Sequence, residues 1–232
     1  MRKGTPTQPG RHVHDILQHT EDVLKPRLRG VLHQIAFPLS LISGTALVSL
    51  SGGAMEHVAS SIYAASVALL FGTSAAYHRG PWSPRARNLM ERLDHSMIFV
   101  LIAGSYTPFT LLLLDGWLRW TAFAVVWGGA LAGIVTRNSR WAAPRWFSVG
   151  MYLAQGWVAI GIMPQLLHKG GVAVVVLLLA GGLCYTLGAV VYARKRPDPS
   201  PRWFGFHEVF HSFTLAAFAC HYIAVALVVF RT

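Results

Sequence analysis

The sequence predicts an all-α integral membrane protein of seven transmembrane helices, with the N-terminus cytoplasmic and the C-terminus outside. Three observations lead there. Of the 232 residues, 53% are hydrophobic and only 12% charged, whereas a soluble domain carries about 25% charged residues. Seven apolar runs reach the roughly 20 residues that cross a hydrocarbon core; they cover about 31–50, 57–78, 90–113, 117–136, 146–166, 171–193 and 207–230. Finally, 17 of the 20 Lys and Arg fall in the tail, in the loops after runs two, four and six, or just inside run three. Only Arg119, Lys169 and Arg231 fall on the opposite side. Basic residues collect on the cytoplasmic face, which fixes the orientation.

Residues 1–30 form a polar tail and residues 31–232 the membrane domain. Residues 1–12 read as disordered, and residues 13–24 as either a short amphipathic helix on the membrane surface or a solvated tail. No cleavable leader is legible there, so the run from Val31 is expected to act as an uncleaved anchor of a multi-pass protein in the cell (inner or plasma) membrane. The net charge of +11 fits loops that face anionic lipid and does not call for nucleic acid. Membrane lipids are the expected partners.

Within the runs, each unusual residue has a packing role to compare. Cys184 and Cys220 lie in apolar runs and are expected to be small buried hydrophobes without a disulfide. Gly128, Gly129 and Gly133, with Ala180, Gly181 and Gly182, should let helices approach closely. Pro38, Pro108 and Pro164 should kink or end their helices.

The chemistry begins at His207-Glu208-Val209-Phe210-His211, which opens the seventh run. Imidazoles four residues apart on a helix share one face, about 6 Å apart along the axis. That spacing suits two ligands to one metal ion. His78 closes run two and Asp94 stands near the start of run three. All four residues therefore lie at the cytoplasmic end, at one membrane depth, although they come from three helices. Ionisable groups are costly inside a bilayer and point to function. Three neutral imidazoles form a zinc-like set with a fourth position left for water. Asp94 would then orient or deprotonate that water, or serve as a fourth ligand. Ser74, one turn from His78, would bond the water, donate to an oxyanion, or merely bond back to its own helix.

The remaining histidines read as structural. His221, ten residues beyond His211, is about 15 Å further along the helix and too far to share an ion. His95 points to another face, His33 belongs to the rim, and His12, His14, His19, His57 and His168 lie in the tail or at helix ends. The pentapeptide also matches H-E-x-x-H, a metalloprotease signature with Glu as base, and Leu114-Asp115-Gly116 resembles the third-ligand segment of site-2-type membrane proteases. Topology opposes this, because Asp115 falls on the outer side, roughly 30 Å from the histidines. Glu208 is expected to cap the helix N-terminus.

Ser74-Ala75-Ala76-Tyr77-His78, Leu93-Asp94-His95-Ser96-Met97-Ile98 running on to Gly104-Ser105-Tyr106-Thr107-Pro108, and the His207–His211 pair with His221 beyond resemble the hemolysin III family. That family stands with the progestin and adipoQ receptors, including the adiponectin receptors, and with the alkaline ceramidases. The resemblance covers about residues 30–230. It implies Zn2+ held by His78, His207 and His211, with Asp94 on the zinc-bound water and Ser74 nearby, and Asp94 and Ser74 as the catalytic pair. It also implies a zinc-dependent hydrolase of lipid amides or esters, with a lipid substrate or fatty acid in the bundle. The rival expectations are a membrane sensor whose zinc is structural, and a cytolysin that permeabilises membranes.

Overall fold

The computed structural model describes residues 26–139 and 145–231; the expected surface helix at 13–24 lies outside these. The described chain is helical: α1 (Val31–Ser49), α2 (Ala54–Arg79), α3 (Pro84–Leu113), α4 (Gly116–Asn138), α5 (Arg145–Gly156), α6 (Gly171–Arg194) and α7 (Phe206–Val229). Six segments are long and apolar enough to cross a membrane, one of them the 49-residue stretch Trp146–Arg194. Leu39, Ile42, Leu131, Val172 and Leu183 point outward, as residues that meet lipid should. The chain is thus a multi-pass membrane protein.

Consecutive helices pack side by side because their connections are short, and α7 returns against α1, α2 and α3. α3 is the central post: 72% of its apolar window is buried, against 22–44% for the other spans. It begins six residues before the expected start of its run. Ser83 accepts a hydrogen bond from the Ala86 N–H at 3.4 Å and Pro84 occupies the first turn, a favourable helix start. The charged first turns of α3 carry no hydropathy signal, so the apolar run understates the helix.

Pro38 and Pro108 lie inside unbroken helices, so of the two outcomes expected for them neither ends its helix. One expectation fails. Cys184 and Cys220 are free but only partly buried, because they sit on faces that the neighbouring helices do not cover fully. The expected run 146–166 is not one regular helix either. α5 passes into a 3-10 segment at Trp157–Ile162, a short α turn at Met163–Gln165 and a π turn at Leu166–Gly170. Pro164, expected to kink or end its helix, lies within this stretch and removes a backbone donor, and Tyr106 of α3 intervenes just before it. Its hydroxyl donates to the Gly156 carbonyl at 2.5 Å and accepts from the Ala159 N–H at 2.7 Å. A side chain inserted in the backbone ladder in this way breaks the helical bonds it replaces. Gly171, at φ 81, then turns the chain into α6, and Trp157 reaches back to donate to the Thr186 hydroxyl at 3.2 Å.

The glycines divide by neighbour. A Cβ on Gly133 would lie 2.3 Å from the Phe99 ring and one on Gly181 2.3 Å from His221, whereas Gly128 and Gly182 have open space. Close approach therefore explains the first two and not the others.

Candidate metal centre

His78 occupies the last turn of α2, Asp94 stands early in α3, and His207 and His211 lie in the first two turns of α7. The start of α7 is held by Glu208, whose Oε2 accepts the N–H of the N-cap residue Gly205 at 2.8 Å. Glu208 is fully buried, and its Oε1 accepts from Arg29 Nε at 2.5 Å. Both carboxylate oxygens are therefore engaged in holding the helix end, which leaves no free base of the H-E-x-x-H kind. Asp115 pairs instead with Lys169 and Arg119. It lies 21 residues beyond Asp94 along α3 and its cap, about 30 Å at 1.5 Å per residue.

The three imidazoles converge. Their ligand nitrogens all lie within 4.8 Å of one another, and His78 Nε2 and His207 Nε2 are 3.2 Å apart. Two nitrogens bound tetrahedrally to one ion at about 2.05 Å would be about 3.3 Å apart, so this pair already has ligand spacing. His78 and His211 are buried and His207 half-buried. The buried Nδ1 of His211 has no hydrogen-bond partner among the described residues, an uncommon state for a buried polar atom. Three convergent imidazoles, one of them with a nitrogen unsatisfied by protein, fit a divalent metal ion.

Asp94 Oδ2 lies 3.9 Å from His78 Nε2, and the Asp94 carboxylate accepts a side-chain hydrogen bond from Ser74. Ser74 and Asp94 are both buried. The pair thus forms one wall of the site without entering the imidazole cluster. From there a cavity of about 150 Å³ runs between the helices past Ser105, Tyr106 and Ile162 to Leu166, far more than one water needs.

His95 does not face away but lines the same cavity, at the interface with two neighbouring helices. It accepts from Arg137 at 2.9 Å and contacts the Tyr192 hydroxyl at 3.3 Å. His221 is a helix-contact residue, with Nε2 3.4 Å from the Leu178 carbonyl. His33 is the residue that sequence reasoning undervalued. It is not on the rim but buried, and it stacks on His211 with centroids 3.7 Å apart and planes 13° from parallel. Its depth in α1 was the only signal available; the face it presents depends on how α1 turns against α7.

The chain matches the family model described as Haemolysin-III related over residues 22–222. It is 33% identical over 174 residues to the hemolysin-3 homolog of Bacillus subtilis (strain 168), a match covering 75% of this chain and 78% of that protein. Hemolysin-3 of Bacillus cereus is 31% identical over 216 residues, 92% of this chain and 95% of that protein. The human monocyte to macrophage differentiation factor is 24% identical over 208 residues, 86% of this chain and 82% of its own. The helical bundle with its convergent histidines, the family match and these relatives lead to one conclusion: the chain belongs to the haemolysin-III related family.

Proposed function

We propose that the protein is a zinc-dependent hydrolase of lipid amides or esters, with seven membrane crossings and a cytoplasmic N-terminus. The observation that carries the chemistry is the convergence of His78, His207 and His211 within 4.8 Å beside the Ser74–Asp94 pair, at one end of an apolar cavity. The seven-crossing reading divides the stretch Trp146–Arg194 at Gly171. The Trp157–Thr186 hydrogen bond across that turn supports a hairpin of two crossings. The distribution of Lys and Arg supports the orientation.

His78, His207 and His211 would hold the ion. When bound, zinc supplies a polarising charge for a carbonyl and lowers the pKa of a coordinated water towards about 7. Asp94 would take up a proton, and Ser74 would fix its carboxylate through the hydrogen bond it donates to it. The walls at Tyr106, Ile162 and Leu166 would seat acyl chains and exclude bulk water.

The test is metal analysis of the purified protein followed by incubation with ceramides and simpler lipid amides and esters. One zinc per chain and release of a fatty acid are expected, both lost in His207→Ala. Turnover that survives His207→Ala ends the zinc mechanism. Two relatives bear the name hemolysin-3, and this supports a second reading as a membrane-permeabilising protein. Leakage from liposomes that persists in chelator, with no lipid product, would favour it.

A further inference from the structure

The segment that enters α1 and its first turn make three separate contacts with the metal centre. Arg29 donates to buried Glu208, next to His207, at 2.5 Å. Gly30, at φ 78, lies so close to α2 that a Cβ there would be 2.5 Å from the His78 Cβ. His33, one turn on, stacks on His211 at 3.7 Å. Three positions within five residues thus touch two of the imidazoles and the glutamate beside the third. The chain just upstream is tied to the loop before α7: the Arg27 N–H donates to the Arg202 carbonyl at 3.0 Å, the Leu28 N–H to the Trp203 carbonyl at 3.1 Å, and the Arg27 guanidinium lies 4.5 Å over the Trp203 ring.

We propose that residues 29–33 form a clasp that presets the three imidazoles, so that seating of this segment and metal binding are a single coupled equilibrium. The inference rests on the metal reading above. His78 comes from one helix and His207 and His211 from another, so their relative position depends on the direct packing of α2 on α7 and on what touches both. The clasp does so, with Gly30 against α2 and Arg29 and His33 against α7. Groups that orient metal ligands from behind typically contribute on the order of 10- to 100-fold to affinity, and coupling of this kind is reciprocal. Arg29, Gly30 and His33 are positioning residues and need not touch substrate.

The experiment compares zinc affinity, by competition with a chromophoric chelator in detergent, and the zinc-induced shift in Tm, measured as Tm in zinc minus Tm in chelator. Gly30→Ala should weaken zinc binding on the order of 10- to 100-fold and shrink the shift. The double variant Arg29→Met/Glu208→Gln removes both buried charges together, so it folds without an uncompensated ion; it should lose affinity similarly. Arg29→Lys should recover part of it. A merely structural segment would lower Tm equally in zinc and in chelator. If Gly30→Ala and the double variant both keep wild-type zinc affinity, the clasp is wrong and the metal centre stands. If the wild type shows no zinc-induced shift, the metal reading fails and takes the clasp with it.

Discussion

The imidazole of His33 lies parallel over that of His211, 3.7 Å between centroids, while neither nitrogen of His33 has a hydrogen-bond partner among the described residues. The ring therefore acts in the free protein as a flat spacer between Phe71, edge-on at 5.0 Å, and a metal ligand. A phenyl ring keeps that shape and removes two unsatisfied polar atoms, each costing about 1–3 kcal/mol when buried. His33→Phe should leave the stability of the metal-free protein unchanged or raise it, whereas His33→Ala should lower it by about 2–4 kcal/mol through the cavity it opens. Denaturation in detergent with chelator present measures both. Equal damage from the two would mean that the nitrogens are engaged.

The glycines give a paired prediction. Gly133→Ala must displace Phe99, and Gly181→Ala must displace His221. Each should cost about 1–3 kcal/mol, as overpacking does. Gly128→Ala and Gly182→Ala meet nothing and should be neutral or stabilising by up to about 1 kcal/mol, the helix-propensity difference. Thermal unfolding of the four variants side by side decides it, and a loss at Gly128 would reveal a helix contact at that face.

Asp115 separates this site from that of a membrane protease. Its carboxyl is held below the usual carboxylate range by hydrogen bonding and charge from Lys169, with Arg119 adding to it. The pair's contribution to stability is present above the unfolded carboxyl pKa and is lost as pH falls through the lower folded value. The carboxylate is fully exposed, so the contribution is small. Asp115→Asn should leave zinc affinity and zinc-induced Tm shift unchanged. A loss of bound zinc would instead make Asp115 a ligand.

Axial position was legible in the sequence, and azimuth was not. Hydropathy and charge place His78, Asp94, His207 and His211 at one depth, and the structure brings the three imidazoles within 4.8 Å of one another. The three histidines sit at helix ends, where depth alone goes far towards bringing side chains together. His33 shares the depth, but only the rotation of α1 against α7 puts its ring on His211. The Arg29–Glu208 bond joins residues 179 apart in the chain and leaves no periodic trace. In the apolar run at 146–166 only Pro164 announced a break; the contribution of a tyrosine hydroxyl on another helix left no trace there.

That tyrosine gives the last prediction. Tyr106 replaces helical bonds of the stretch after α5 with its own donor and acceptor, at 2.5 Å to the Gly156 carbonyl and 2.7 Å from the Ala159 N–H. Tyr106→Phe keeps the ring but strands both backbone groups in an apolar wall. Stability should fall by about 1–3 kcal/mol unless the segment rewinds as a regular helix and pairs those groups internally. Rewinding would shift Ile162 and Leu166, which line the cavity, while the imidazoles beside α7 stay in place. The expected result is therefore lower thermal stability and altered preference for acyl-chain length, with zinc affinity unchanged. A Tyr106→Phe protein that loses its zinc would show that the two ends of the cavity are mechanically linked.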